Sequence, residues 1–246
     1  MIVLYTAIFG SIDPLWSLPP HPTQAARVCF TDAAREEIGS WRGTLYTPDA
    51  RPLAPQRWQW EQRLVPATYG PRRTARYYKT LPQLAFPDAD VWIWVDGNVR
   101  PRVDPETLVA RYLPDGIDLA VLRHPDRACL YTEADFCAQH GYDDRATLEA
   151  QAAAYRAADM PERWGLAETR VVIRRNTPEI RALNAAWWVE IAAHSRRDQV
   201  AFPFVCWRAG LRWREIPGRV QGQRHPDFWH DGAVHIKRER AQGKTT

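Results

Sequence analysis

Apolar and polar positions alternate along the chain with two periods, one typical of strands and one typical of helices. Short runs rich in β-branched and aromatic residues predict strands at 2–9, 27–32, 91–95, 118–124 and 168–176. Apolar residues at helical spacing predict helices at 72–84, 104–113, 132–140, 145–158 and 177–195, with another over 196–210 that is broken or kinked at Pro203. Strands that alternate with helices predict a three-layer α/β/α domain with a mostly parallel, mixed central sheet.

Prolines and charge mark the segments between these elements. The segments 14–22 and 47–70 contain several prolines without clear periodicity, so we predict loops there, the second lying over one edge of the sheet. Residues 1–236 are predicted to form a single domain. The charged and polar segment 237–246 is predicted to be a flexible tail.

Composition limits the class of protein. The 246 residues are 45% hydrophobic and 25% charged, which is typical of a globular protein with a substantial core. The apolar N-terminus resembles a first strand more than a signal peptide, and we find no run long enough to cross a bilayer. We therefore expect a cytoplasmic protein, with peripheral membrane contact if its substrate is attached to lipid. The four scattered cysteines predict reduced, buried thiols.

Charge and tryptophan content indicate possible ligands. The net charge of +4 favours anionic partners such as phosphate groups, although a solvated basic surface explains it nearly as well. The twelve tryptophans suit either a core or a cleft in which rings stack on sugars or bases. Nucleic-acid binding is not implied by this charge.

The strand at 91–95 ends in Asp96, Gly97 and Asn98. In open α/β sheets, ligands bind beyond the carboxyl ends of the strands. Asp96 and Asn98 offer oxygen ligands on either side of a glycine turn, which suits Mg²⁺ or Mn²⁺ bound to a diphosphate. The same three residues are also typical of a tight hairpin turn.

Other polar residues lie near predicted strand ends. Arg76 and Lys79 share a helix face and could neutralise a diphosphate, or form a solvated basic face. Asp32 could accept a hydrogen bond from a ribose hydroxyl, or cap a helix that follows it. Glu168 precedes a strand and could face donor or acceptor, or be an ordinary surface acid. A further cluster, which salt bridges at a helix start would also explain, comprises Arg123, His124, Arg127 and Glu133.

Seven motifs occur in order between residues 4 and 207: YTAIFG, FTD, ARYYK, IWVDGNV, RHPDR, GLAETRVVIRRN and SRRDQVAFPFVCW. Together they resemble the glycosyltransferase-like domain of plant mucilage- and turgor-associated proteins and of many bacterial chains. The sequence also resembles the GT-A glycosyltransferases, and in part those of retaining family eight. The resemblance implies a GT-A-like domain with a Rossmann-like nucleotide-binding half.

The resemblance also implies donor-binding roles. Tyr5, Thr6 and Ala7 would lie along the nucleotide base, and Asp32 near base or ribose. Arg76 and Lys79 would face the diphosphate. Asp96, Gly97 and Asn98 would form the metal-binding turn, in which Asn98 replaces the second acid of the usual motif and weakens the expected metal affinity.

The resemblance places the catalytic groups and the last metal ligand towards the C-terminus. Asp198 would bind donor-sugar hydroxyls and Gln199 would lie under the anomeric carbon, although an ordinary helix start explains the Asp198 position without it. Related enzymes complete the metal shell with a C-terminal histidine, here His225, His230 or His235.

These features together predict a hexosyl- or pentosyltransferase for polysaccharide or other glycan synthesis. It would move a sugar from a nucleotide-sugar donor to a hydroxyl acceptor, assisted by Mn²⁺ or Mg²⁺. The resemblance implies a UDP-sugar as the donor, and the resemblance to family eight implies retention at the anomeric carbon. The acceptor could be a glycan, a lipid-linked glycan, a protein or even a modified nucleic acid. The alternatives are a non-catalytic carbohydrate- or nucleotide-binding protein and a nucleotidyltransferase. The segment FGSIDPLWSLPP lacks the glycine-rich basic loop expected of a nucleotidyltransferase.

Overall fold

The computed structural model describes residues 1–10, 13–19, 23–35, 37–38 and 60–230. In chain order its strands are β1 (Ile2–Ile8), β2 (Leu15–Trp16), β3 (Ala26–Thr31), β4 (Glu37–Ile38), β5 (Glu61–Leu64), β6 (Val91–Val95), β7 (Val99–Pro101), β8 (Leu119–Arg123), β9 (Ala167–Arg175), β10 (Arg214–Ile216) and β11 (Phe228–His230). Its helices are α1 (Pro71–Thr80), α2 (Pro82–Ala85), α3 (Pro105–Tyr112), α4 (Leu130–Gln139), α5 (Arg145–Ala157), α6 (Pro178–Ala193) and α7 (Asp198–Arg208). The alternation of strands and helices follows the predicted order.

The central sheet of the described residues has seven strands in the order β10-β8-β9-β6-β1-β3-β5. β9 runs antiparallel to both of its neighbours, β6 and β8, and the other pairs are parallel. The predicted mostly parallel, mixed sheet is confirmed. Because β9 runs in the opposite direction, its first residues lie at the edge where the parallel strands end.

Side chains of β6 alternate between two cores, one on each face of the sheet. Trp92 and Trp94 pack on the face covered by α1, α4, α5, α6 and α7, whereas Ile93 and Val95 pack on the face covered by α3. Burying one large apolar side chain contributes about 1.5–3 kcal/mol to stability. Helices on both faces give the three layers that the sequence predicts.

Part of the predicted loop 47–70 is a strand. Residues 61–64 form β5, which pairs in parallel with β3 at one end of the sheet. Its sequence EQRL lacks apolar alternation because its side chains are exposed or half-buried on an edge strand, where charged residues oppose further pairing. Residues 39–59 lie outside the described residues.

The observed helices differ from the predicted ones at two prolines. The predicted helix 72–84 divides into α1 and α2 at Leu81, whose φ of −117° and ψ of 50° are not helical. Pro82 disfavours helical conformation at the residue before it. Pro203, predicted to break or kink the last helix, instead lies inside α7, which continues from Asp198 to Arg208.

Two composition-based predictions can be compared with the described residues. All four cysteines are buried and form no disulfide within this part of the chain. None of its helices has the length and apolar character needed to cross a membrane. The predicted tail 237–246 and His235 lie outside the described residues.

Candidate functional site

The polar residues singled out in the sequence lie mainly at the carboxyl edge of the sheet. Asp32 follows β3, Asp96 follows β6, and His124 follows β8. Glu168 lies at the same edge because it is the second residue of the antiparallel β9, opposite Leu122 of β8. Ligands of open α/β sheets bind at this edge.

Asp198 is the centre of a buried ionic cluster at this edge. Its carboxylate accepts from Arg76 Nε at 2.8 Å and from Thr169 Oγ1 at 2.7 Å, and it lies 2.5 Å from Lys79 Nζ. Lys79 Nζ also lies 3.4 Å from Asp96 Oδ1, which accepts from Trp94 Nε1 at 2.8 Å. The cluster therefore joins α1, β6, β9 and α7 through two cations and two anions.

The neighbouring charges of this cluster determine the protonation states of its two carboxylates. Burial alone would raise the pKa of Asp198, but Arg76 and Lys79 beside it lower that pKa far below the usual value. Burial also opposes ionisation of Asp96, and Lys79 and Arg76 again lower the pKa overall. Lys79 is 1% exposed, and its burial lowers its pKa despite Asp198 and Asp96. Both carboxylates are therefore ionised at neutral pH.

These contacts resolve two alternatives left by the sequence. Arg76 and Lys79 do not form a solvated basic face, because Lys79 is buried and both side chains bind Asp198. Asp198 is the first residue of α7, as a helix start requires, but it also binds cations from another helix. Asp198 is therefore both the first residue of a helix and the carboxylate that binds Arg76 and Lys79.

The Asp96–Gly97–Asn98 turn is not a hairpin between neighbouring strands. β7, which follows it, pairs with β11 rather than with β6. A side chain at position 97 would place its Cβ 2.9 Å from Ile8 Cγ1, so only glycine lets the turn lie this close to β1. Asn98 Oδ1 is buried and receives no hydrogen bond from the part of the chain that the structure describes.

A divalent cation fits Asp96 and Asn98 better than it fits the histidines. Asp96 supplies a carboxylate and Asn98 a buried amide oxygen without a donor, both on one turn. Hard cations such as Mg²⁺ are commonly bound through one or two such groups together with substrate phosphates. Among the described residues there is no group of three or more His, Cys, Asp and Glu side chains that could bind a metal ion.

The two described C-terminal histidines lie in different surroundings. His230 Nε2 lies 2.8 Å from Arg170 Nη1, which must be the donor because a guanidinium cannot accept. His225 is fully buried against Gly218 and Phe228, and its Nδ1 accepts from Asp227 N at 3.1 Å. Its Nε2 is buried without a hydrogen-bond partner among the described residues, and a metal-ligand role for His225 or His230 stays a prediction.

The residues of β1 that were predicted to bind the donor belong to the core of the domain. Tyr5 is fully buried in the middle of β1, and its hydroxyl donates to Lys79 O at 2.9 Å. Thr6 and Ala7 are also buried. Their side chains are not accessible to a nucleotide base, which corrects the role that the resemblance implied, because β1 is a central strand covered on both faces.

Asp32 is partly exposed beyond β3 and is not a helix cap. Its carboxylate accepts from Gly10 N at 2.8 Å and from Arg35 Nη2 at 2.9 Å. Burial opposes ionisation of Asp32, but the Gly10 bond and Arg35 lower its pKa overall. The side chain is 28% exposed and remains at the edge where a ribose could meet it.

A second polar cluster surrounds Glu133, which is 1% exposed. Its carboxylate accepts from Arg127 Nε at 2.6 Å and from Gln199 Nε2 at 3.3 Å, and it lies 3.6 Å from His124 Nε2. Burial lowers the pKa of His124, which Glu133 opposes and Arg127 reinforces. The structure thus joins the RHPDR segment to Gln199. Arg123, predicted to belong to this group, is exposed and lies 4.0 Å from Glu215.

Glu168 is buried rather than a surface acid, and it lies inside β9 rather than before a strand. Its side chain is 5% exposed, and Oε1 lies 3.1 Å from Arg170 Nε. Oε2 is enclosed and has no hydrogen-bond partner in the described residues. Burial raises the pKa of Glu168, and Arg170 only partly opposes that effect.

Two residues of this site carry no recognisable sequence signal. Thr169 binds both Asp198 and Lys79, and Arg170 joins Glu168 to His230. Both belong to β9, where a threonine and an arginine are ordinary strand residues. Only the pairing of β9 with β6 and β8 brings them to the site.

Comparison with known proteins identifies the class and then the family. Residues 59–215, more than half of the chain, match the family described as "TOD1/MUCI70, glycosyltransferase-like domain". The chain therefore belongs to the TOD1/MUCI70 glycosyltransferase-like family. The predicted resemblance is confirmed by this match, whereas the similarity to family eight stays a prediction.

Two relatives from Arabidopsis thaliana are similar to parts of the chain. One, named "Probable hexosyltransferase MUCI70", is 27% identical over 143 residues, covering 54% of this chain and 25% of the relative. The other, named "Alkaline ceramidase TOD1", is 27% identical over 131 residues, covering 49% of this chain and 28% of the relative. The matched part is thus about a quarter of either relative.

Two solved structures of glycosyltransferases resemble the fold at 10% sequence identity. The bifunctional glycosyltransferase WbbM in its apo form covers 99% of this chain and 44% of its own, with a TM-score of 0.47. Mouse xyloside xylosyltransferase 1 in its apo form covers 88% of this chain and 84% of its own, with a TM-score of 0.41.

Proposed function

We propose that this chain is a glycosyltransferase that moves a sugar, most simply a hexose, from a nucleotide-sugar donor to a hydroxyl acceptor. The observation that carries the proposal is the buried cluster of Arg76, Lys79, Asp96 and Asp198 at the carboxyl edge of the sheet. Family membership supports the reaction class, and the name of one relative supports a hexose.

The cluster suits a diphosphate leaving group. Arg76 and Lys79 are balanced by Asp96 and Asp198, so their formal charges cancel before any ligand binds. A nucleoside diphosphate that binds here therefore needs further positive charge. A Mn²⁺ or Mg²⁺ ion bound by Asp96 and Asn98 would supply that charge and stabilise the departing diphosphate.

Arg76, Asp198 and Gln199 then have different roles in the reaction. The half-buried side chain of Arg76 is 23% exposed and remains available to a phosphate. Asp198, held by three donors, acts as a fixed acceptor for donor-sugar hydroxyls and not as a base, because its pKa is too low. Glu133 orients Gln199 through a hydrogen bond. We expect Gln199, His124 and Arg127 to face the sugar or the acceptor. UDP as the nucleotide is proposed from the family resemblance.

Another function class comes from the relative named as an alkaline ceramidase, which would be an amide hydrolase. A further alternative is a domain that binds nucleotide sugars without turnover. The two cations of the cluster support transfer over amide hydrolysis, since a departing diphosphate needs cations and the amine released from an amide does not. Both alternatives are outcomes of the same test.

Release of nucleoside diphosphate from a panel of nucleotide sugars tests the proposal. The purified chain should release UDP from at least one UDP-hexose when Mn²⁺ and a mixture of oligosaccharides are present. An Asp96→Ala variant should lose most of that release, whereas Asp118→Ala, which changes an exposed acid, should keep it. Cleavage of a short-chain ceramide without release of any nucleotide would favour the amide hydrolase. Nucleotide binding without release would favour the binding domain.

A further inference from the structure

Among the described residues, the carboxylates of Asp96, Glu133, Glu168 and Asp198 line this edge between β6 and α7, and all but one of these four are bound by several donors. Asp198 has Arg76, Lys79 and Thr169, and Asp96 has Lys79 and Trp94. Glu133 has Arg127, Gln199 and the Cys137 thiol. Glu168 is the exception within the described part of the chain, because Arg170 is its one charged partner there and Oε2 accepts from no donor.

The surroundings of Glu168 place it between the donor cluster and the second polar cluster. Arg170, which binds its Oε1, is the residue whose carbonyl accepts from Asp96 N at 2.9 Å. Leu122, opposite Glu168 in β8, comes two residues before His124. Glu168 is therefore on the side of the Asp96 turn that faces the RHPDR segment.

We propose that Glu168 is the catalytic base that accepts the proton of the acceptor hydroxyl, an inference that rests on the proposed glycosyltransferase function. A buried carboxylate oxygen without a donor is the arrangement that a bound hydroxyl would complete. In the step, the hydroxyl oxygen bonds to the anomeric carbon as its proton passes to Glu168. The bond from that carbon to the diphosphate oxygen breaks, and its electron pair leaves with the nucleoside diphosphate.

The charges that face Glu168 from each neighbouring element support this role. Burial raises its pKa, Asp96 and Asp126 raise it further, and Arg170 and Arg219 oppose them. Asp126 is paired with Arg219, so its effect is partly balanced. A base with a raised pKa removes a proton more readily than Asp96 or Asp198, whose pKa values are lowered.

A separate base has a stereochemical consequence. When the departing diphosphate itself takes the proton, as in a front-face retaining reaction, no carboxylate base is required. When a protein carboxylate takes it, the acceptor attacks from the face opposite the diphosphate in a single displacement. We therefore expect inversion at the anomeric carbon, in contrast to the retention that the resemblance to family eight implies.

Hydrolysis of an α-linked UDP-hexose tests the proposal with water as the acceptor. Proton NMR of the first sugar formed should show the β anomer, before mutarotation mixes the two forms. Glu168→Gln should lower kcat by at least about 100-fold, the usual contribution of a general base, with little change in KM. Glu190→Gln is the control, since the Glu190 carboxylate on α6 accepts from Tyr155 of α5, and this variant should not lower kcat. An α anomer, or a Glu168→Gln variant within threefold of the wild type, would overturn the proposal.

A measurement that needs no turnover separates a failure of the proposed base from a failure of the proposed glycosyltransferase function. In the UDP-bound protein, the ¹³C signal of the Glu168 carboxyl, assigned by its loss in Glu168→Gln, should titrate above the value for a free glutamate. Titration at or below that value would overturn the base while leaving the transferase intact. A wild-type chain that binds no nucleoside diphosphate would overturn the proposed function, and the base with it.

Discussion

Asp198 and Glu168 are almost equally buried at the same edge of the sheet, yet their surroundings shift their pKa values in opposite directions. Asp198 is bound by two cations and a hydroxyl, whereas Glu168 has one cation and an oxygen without a donor. Burial opposes ionisation in both. The difference shows that the number of donors, rather than the depth of burial, decides which carboxylate stays charged and which can exchange a proton.

The largest expected effect follows from removing the well-bound carboxylate. Asp198→Ala leaves Lys79 buried with Asp96, at 3.4 Å, as its one anionic partner in the described part of the chain. Breaking a buried pair in this way usually costs about 3–5 kcal/mol, which urea denaturation should detect. Asp118→Ala, which removes a surface partner 3.7 Å from Arg175, should cost about 1 kcal/mol or less. Equal losses in the two variants would contradict the importance of the cluster.

A smaller effect on stability is expected from Tyr5, whose hydroxyl is bonded to the backbone of Lys79. Tyr5→Phe removes a donor from Lys79 O and a partner from Arg174, which is also bonded to that oxygen. The expected loss is about 1–3 kcal/mol in urea denaturation, with unchanged affinity for UDP. Tyr69→Phe, on an exposed ring, should stay within about 0.5 kcal/mol. A loss of UDP affinity without loss of stability would restore Tyr5 to the nucleotide site.

The change in stability caused by replacing Glu168 or Asp198 should also depend on pH, with opposite sign for the two residues. A group with a raised pKa in the folded state favours folding below its unfolded pKa, and that contribution is lost as pH rises through the folded pKa. Glu168→Gln should therefore become more stable relative to the wild type as pH rises from 4 to 7, by at most about 1.4 kcal/mol per pH unit. For Asp198→Asn the sign is reversed and the range is lower, because a lowered pKa stabilises the wild type above the unfolded pKa and that contribution is lost as pH falls below about 4. Thermal unfolding of Glu168→Gln from pH 4 to 7 and of Asp198→Asn below pH 4 measures both changes, and a constant difference from the wild type in either range would contradict the assignment for that residue.

The smallest expected change concerns metal affinity at the Asp96 turn. Asn98→Asp replaces a neutral amide oxygen by a carboxylate and should tighten Mn²⁺ binding, since affinity for a hard cation rises with the charge of its ligands. Electron paramagnetic resonance of free Mn²⁺ measures this directly. Asp96→Asn should weaken binding in the same assay. If neither change alters Mn²⁺ binding, the metal is not bound at this turn.

The sequence predicted the location of the site better than its internal contacts. Asp96 follows a continuous apolar strand, so its place at the carboxyl edge could be derived from pattern alone. Its partner cluster could not, because Arg76 and Asp198 are separated by 122 residues and meet only through the packing of α1 against α6 and of α6 against α7. Asp198 was selected through the family resemblance and not through its own pattern.

The misplaced residues have a physical explanation. Tyr5 was assigned to the ligand because it belongs to the first motif, but it lies in mid-strand, where both faces of β1 are covered. Thr169 was missed because nothing in a strand sequence marks one threonine as a hydrogen-bond donor to a carboxylate. His225 and His230 could not be separated by spacing, since their environments depend on the pairing of β11 with β7.

The central claim is that a nucleoside diphosphate binds at the carboxyl edge beside Asp96, and thermal unfolding with UDP and Mn²⁺ tests it most directly. At about one hundred times its dissociation constant, a ligand that binds only the folded chain adds about 2.7 kcal/mol. We expect UDP with Mn²⁺ to stabilise the wild type and Asp118→Ala alike, and Asp96→Ala to lose the part that depends on Mn²⁺. If no nucleoside diphosphate stabilises the wild type, with or without metal, the edge is not a donor site.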